Sequence, residues 1–292
     1  MKIAIATDTN SGITAMEGEK LGVFVLAMPV NLEETIHYEG IDITSEQLYD
    51  AMRQHRDVST SQPSPGQLME LWDGILAKGY DEIVYIPMSS GLSGSCQSAA
   101  LFAQDYDGKV QVVDNHRISV TQRESVISAL RLAKQGHNGE QIKEFLEKHA
   151  YDASIYITVD SMEYLKKGGR VTPAAATLAT VLNLKPVLTI QGDKLDAFAK
   201  VRGMKLAESK MIEAIHHDRE ARFKDVPESR LLIETAGTLE SEELAEHWRQ
   251  QVQAEFPFAK VSYANLPCSI ACHVGMNSVA AVIMTEEVQR AD

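Results

Sequence analysis

The chain has 292 residues and carries 28 Lys and Arg against 41 Asp and Glu, a formal charge of -13. That length allows two domains, each burying a sizeable core, and the acidic balance argues against an electrostatic grip on nucleic acid or anionic membrane surfaces. Three cysteines, Cys96, Cys268 and Cys272, make no disulfide framework and suit a reducing compartment.

Lys2 to Thr7 reads as a first strand ending in an acidic turn at Asp8, without the apolar stretch and cleavage site of a signal peptide. No apolar run reaches spanning length, so a cytoplasmic protein without integral membrane association is expected. Thr44-Ser45-Glu46-Gln47 is a capping box before an amphipathic helix to about His55. A second box, Ser64-Pro65-Gly66-Gln67, places Pro at the first helical position ahead of the stripe Leu68, Leu71, Trp72, Ile75 and Leu76. Glu82 to Pro87 is a buried strand, followed by the loop Met88 to Ser93 and a helix from about Gly94 to Gln104 with Ser93 as its N-cap. Lys109 to Asp114 repeats the strand, Ser119 to Gln135 and Asn138 to His149 are helices, and the domain boundary falls near Asp152.

Beyond it, Ser154 to Val159 is a strand, Ser161 to Lys167 a short helix, and Thr172-Pro173 opens an alanine-rich helix ending at Asn183. Val187 to Ile190 and Leu195 to Lys200 flank Gly192-Asp193 as a hairpin. Helices over Met204 to Arg222 and Ser241 to Glu255, with strands near Leu231, Val261 and Val282, complete the chain. The expected architecture is therefore an N-terminal parallel-sheet α/β domain, residues 1–152, followed by a smaller α+β domain, residues 153–292.

Two turns carry more hydroxyl groups than their local structure needs. Ser89 to Ser95 precedes a helix, whose unpaired N–H groups and partial positive charge suit an anion. Thr60, Ser61 and Gln62 exceed what a connector capped by Ser64 requires. Both turns have a plain alternative, as a helix cap and a solvated loop. A serine hydrolase would place Ser93 in a nucleophile elbow with His273 as base, but Ser95 stands where the elbow needs Gly. No phosphate-binding loop and no dinucleotide fingerprint are present. Cys268, Cys272 and His273 lack the second ligand pair of a structural zinc site, so neither metal nor cofactor is expected. Gly168-Gly169-Arg170 is equally a helix stop with a surface cation or a ligand contact.

Taken together, Thr60-Ser61-Gln62-Pro63-Ser64, Ser89 to Ser95, Gly168-Gly169-Arg170, Lys200-Val201-Arg202 and His273-Val274-Gly275 resemble the DegV family of fatty-acid-binding proteins, in order and spacing over essentially the whole chain. Asp8-Thr9-Asn10-Ser11 is similar to the family's acidic N-terminal turn. The resemblance implies a DegV-like fold with one long-chain fatty acid in a tunnel and its carboxylate near the domain interface. It also implies that a separate ATP-dependent fatty acid kinase converts the presented carboxylate to an acyl phosphate. Carried over by position, Thr60 and Ser93 would donate hydroxyls to the carboxylate with Ser61 and Gly94 alongside, while Arg202 and His273 approach from the second domain. Gly275-Met276-Asn277 departs from the Gly-Pro-Gly common in the family. The enzyme alternative is a covalent intermediate on Ser93 or His273, as in an acyl hydrolase or a dihydroxyacetone-kinase-like substrate subunit.

Overall fold

A computed structural model of the chain describes residues 1–177, 184–192 and 194–289. The strand expected at Lys2 to Thr7 is β1 (Ile3–Asp8), followed by α1 (Ala15–Leu21) and β2 (Val23–Leu26). A hairpin, β3 (Pro29–Leu32) and β4 (Thr35–Tyr38), comes next. After α2 (Ser45–Arg53), β5 (Val58–Thr60) returns to pair antiparallel with β3. The small sheet β4-β3-β5 carries Thr60 at its last residue and was not expected from the sequence pattern.

α3 (Pro65–Ala77), β6 (Glu82–Ile86), α4 (Ser95–Phe102), β7 (Val110–Val112), α5 (Val120–Lys134) and α6 (Gly139–Lys148) complete the first half. Capping boxes open three of these helices, Thr44 with Gln47 at α2, Ser64 with Gln67 at α3 and Asn138 with Gln141 at α6. In each, both side chains satisfy N–H groups that the first helical turn leaves without partners. β2-β1-β6-β7 is a parallel sheet with apolar clusters on both faces, one built around Trp72 and the other around Ile142.

The second half begins at β8 (Ala153–Thr158) and runs through α7 (Glu163–Gly168), α8 (Pro173–Ala176), β9 (Leu184–Ile190), β10 (Asp196–Arg202) and α9 (Met204–Ala221). It continues with β11 (Leu231–Gly237), α10 (Glu242–Glu255), β12 (Ser262–Asn265), α11 (Cys268–Val274) and β13 (Val279–Thr285). The rest of the helix expected up to Asn183 lies outside the described residues, as does Asp193 of the hairpin turn. β9 and β10 are the antiparallel pair that the turn predicts.

The six strands order as β10-β9-β8-β13-β11-β12, antiparallel except between β11 and β12. Side chains alternate between the two faces of a strand, and here the alternation separates two environments. Val279, Ala281 and Ile283 of β13 face α9 and α10, packing with Met211 and Trp248. Ala280, Val282 and Met284 face the other way, into a cluster shared with Leu92, Ile118 and Val120 of the first half. The segment after β13 also ties the halves together. Glu287 forms an almost fully buried ion pair with Arg117, and Glu286 lies 3.0 Å from Arg131.

Candidate functional site

The inner face of the six-stranded sheet is not filled to contact. A cavity runs between it and the loops at the carboxyl ends of β6 and β7. Ile155 and Ile157 of β8, Ile190 of β9, Ala280 and Val282 of β13, and Leu165 of α7 make an apolar wall. Polar groups occupy limited parts of the lining, with Thr60, Ser61, Gln62, Ser93, Arg170 and His273 among them. Ser61 and Gln62 are exposed while lining the cavity, which marks the mouth.

His273 sits on α11 and reaches the end of β5, with Nε2 2.8 Å from the Thr60 hydroxyl. Burial first, and Arg170 second, lower its imidazole to about 4, so the ring is neutral at pH 7. Its Nδ1 has no hydrogen-bond partner among the described residues. A Cβ on Gly168 would lie 2.3 Å from that nitrogen, so only glycine allows α7 and the ring to approach this closely. Arg170 follows at the α7 stop, where Gly169 takes φ 68°. Its Nε donates to Leu92 O at 3.2 Å and its Nη1 to Gly168 O, and among the described residues it has no carboxylate partner. A guanidinium with carbonyl partners alone retains its full positive charge for an incoming anion.

The loop after β6 is held from several sides. Asp8 accepts from Met88 N–H at 3.0 Å, Arg117 O accepts from Ser89 N–H at 2.8 Å, and the Ser89 hydroxyl donates to Gly192 O at 2.6 Å. Asp8 is fully buried, and desolvation raises its pKa against the opposing hydrogen bonds from Gln122, Met88 and Asn10. These anchors fix where Ser93 stands. The helix cap differs from expectation by one residue. Gly94 is the N-cap of α4 and makes no side-chain cap bond, while the Ser93 hydroxyl accepts from Ser95 N–H at 3.2 Å. A serine one position before the cap can close only that short turn, so its oxygen remains beside the cavity.

Of the residues expected at the site, Thr60, Ser61, Ser93 and His273 line one cavity. Gly94 lies next to them, where an added Cβ would be 3.6 Å from Gln62 Oε1. Arg202 is not among the residues that line the cavity. It ends the edge strand β10 exposed, while Val201 before it packs on the opposite face of the sheet with α9. Among the described residues the cation at the cavity is Arg170, which the Gly-Gly-Arg turn signalled without deciding. Asn10, Ser119 and Ser269 also line the cavity and were not singled out. α11 itself was not expected, although Pro267 and Gly275 bracket it in the sequence.

The turn at Gly275-Met276-Asn277 closes without proline. The Thr238 hydroxyl donates to Gly275 O at 2.7 Å, and Asn277 N–H donates to Thr238 O at 3.0 Å. Gly275 has φ 74°, and a Cβ there would meet Tyr164 at 2.8 Å. Cys268 and Cys272 are buried among Val30, Leu48 and Met52, and burial pushes the Cys268 thiol up to about 12. Among the described residues no group of three or more His, Cys, Asp or Glu is placed to hold a metal ion, and no helix is long and apolar enough to cross a membrane.

A family model described as an uncharacterised protein of the DegV family matches residues 2–286. A DegV domain-containing protein of Deinococcus radiodurans is 34% identical over 216 residues, 74% of this chain and 76% of its own length. A solved DegV family protein from Thermus thermophilus, described by its fatty acid binding, superposes with TM-score 0.86 at 30% identity, covering 98% of this chain and 100% of that one. DegV from Bacillus subtilis, described as a fatty acid binding protein, superposes with TM-score 0.85 at 26% identity, covering 98% and 99%.

Proposed function

Because the chain belongs to the DegV family, we propose that it is a carrier that holds a long-chain fatty acid and breaks no bond in it. The observation that carries this reading is the cavity itself, an apolar slot whose wall gives way to Thr60, Ser61, Ser93, Arg170 and a neutral His273. The acyl chain lies along Ile155, Ile157 and Val282, and the carboxylate takes the hydroxyls and the guanidinium. Burying roughly a dozen methylenes at ~0.8 kcal/mol each gives on the order of 10 kcal/mol before the entropic costs of binding. Each hydrogen bond to the charged head adds about 1.5–3 kcal/mol. The tail therefore supplies most of the affinity and the head fixes the orientation. Residues 1–152 and 153–292 act as two units that meet across the ligand.

A carrier reading also agrees with the surroundings of His273. A hydrolytic triad needs a carboxylate orienting the base, whereas Nδ1 here faces Gly168, and Nε2 is engaged by Thr60 rather than Ser93. In the same reading the mouth at Ser61 and Gln62 offers the carboxylate to a separate ATP-dependent kinase, since the chain has no phosphate-binding loop of its own. Denaturing extraction of the purified protein followed by mass spectrometry is expected to release about one long-chain fatty acid per chain. A lipid-free protein that also fails to bind added fatty acid would overturn the proposal.

A further inference from the structure

Glu39 directly follows β4 in the first half, yet its side chain ends at the start of α11. Ser269 N–H donates to its Oε1 at 3.3 Å, and the Ser269 hydroxyl lies 2.8 Å from Oε2. On the other side Met28 N–H donates to the Thr9 hydroxyl at 3.1 Å, which directs that hydroxyl's own proton onto Glu39 Oε2 at 2.6 Å. Cys268 N–H also reaches the carboxyl. Glu39 is 8% exposed and forms no ion pair among the described residues. Taking a carboxyl group out of water without a cation is costly, and desolvation raises its pKa against the hydrogen bonds from Thr9, Ser269 and Cys268.

Those hydrogen bonds supply what α11 lacks. Its N-cap is Pro267, which offers no side-chain acceptor, and the helix has only seven residues. The first N–H groups of a helix have no intrahelical partners, and an acidic group is favoured beside them. Elsewhere α11 is held by Cys268, Ala271 and Cys272, which pack with Val30, Leu48 and Met52. Apolar contact of this kind is non-directional and resists separation more than sliding. Hydrogen bonds from Cys268 and Ser269 to one fixed carboxyl resist both.

His273 lies one turn further on, four residues after Ser269 and on the same face of α11. Both residues line the cavity. The His273 Nε2 meets the hydroxyl of Thr60, the last residue of β5. β4 and β5 flank β3 in one small sheet, so that sheet holds α11 at two points, through Glu39 at its start and Thr60 near its end. We infer that Glu39 is a positioning residue, whose carboxyl fixes α11 so that the His273 imidazole meets Thr60 at the polar part of the cavity. Its consequence for a bound carboxylate rests on the fatty-acid reading above.

The test follows the His273 ring by NMR during a pH titration of the delipidated full chain, its signal identified by its absence in His273→Gln. In the unsubstituted protein, burial and Arg170 keep the imidazole midpoint at about 4. Glu39→Ala should release α11, expose the ring and raise that midpoint toward the ordinary value of about 6.5. Loss of a negative charge alone would lower it, so the sign separates movement from electrostatics. Glu39→Gln keeps an oxygen for the Ser269 N–H and should hold the midpoint near its original value. If Glu39→Ala fails to fold, as judged by circular dichroism, Glu39→Asp carries the comparison, because its carboxyl stops one methylene short of α11. A midpoint unmoved in the folded variant, or one that rises as far in Glu39→Gln, overturns the assignment. In parallel, the advantage of palmitate over methyl palmitate should fall roughly tenfold with Glu39→Ala, and equal losses for the two overturn the link to the head group. Palmitate that fails to bind the unsubstituted protein overturns the carrier reading while the His273 result stands.

Discussion

Thr60, Ser61, Ser93 and His273 were legible in the sequence only jointly, since each hydroxyl-rich turn alone also reads as a helix cap or a solvated loop and the order of the motifs along the chain singled them out. The cation was not. Arg170 follows the stop of α7 whereas Arg202 is the last residue of β10, and which one lines the cavity depends on tertiary placement. Arg202 ends the edge strand β10 beyond the residues that line the cavity, while the stop of α7 at Gly168 and Gly169 leads Arg170 to Leu92 O and the cavity. Arg170→Gln is expected to weaken fatty acid binding by roughly 10- to 100-fold, the worth of one charge-assisted contact. It should barely change binding of the corresponding methyl ester, and Arg202→Gln should change neither. Titration of both ligands against both variants checks the assignment; equal losses for acid and ester in Arg170→Gln would remove the arginine from the head group.

At the scale of elements, the capping boxes at Thr44 and Ser64 announced α2 and α3 from the sequence, and α5 and α9 were read without any side-chain cap. α11 carries no such side-chain cap and is buried at Cys268, Ser269, Ile270, Ala271, Cys272 and Val274, so it shows no amphipathic period to read. β13 is buried at every residue, and a continuous apolar run reveals a strand without revealing which face borders a cavity. The structure shows which face lines the cavity, and the difference between adjacent residues makes the proposed binding there testable. Ala280 lines the cavity whereas Ala281 packs with α9 and α10. Ala280→Phe is expected to occupy the slot, abolishing measurable fatty acid binding while the protein stays folded. Ala281→Phe should overpack the opposite core and cost about 1–3 kcal/mol of stability, with binding retained in the folded fraction. Denaturant unfolding beside ligand titration separates the two, and loss of binding in Ala281→Phe alone would mean that the cavity lies on the other face.

Over the whole molecule, the cavity belongs to neither half. β5, the Met88 to Ser93 loop and Ser119 approach from one side, and β8, α7, α11 and β13 from the other, while the buried Arg117 and Glu287 pair also joins the two halves. A ligand in this position contacts only the folded arrangement of both halves, so its binding energy adds to global stability by mass action. At a free concentration a hundred times Kd the gain is about 2.7 kcal/mol. For a chain of this size that corresponds to a rise in Tm of about 4 °C. Delipidated protein scanned with increasing palmitate should show one cooperative transition moving upward with concentration, and the same scan of Ala280→Phe should not move. Two transitions, of which palmitate shifts only one, would place the ligand inside a single half and break the link between binding and the seam.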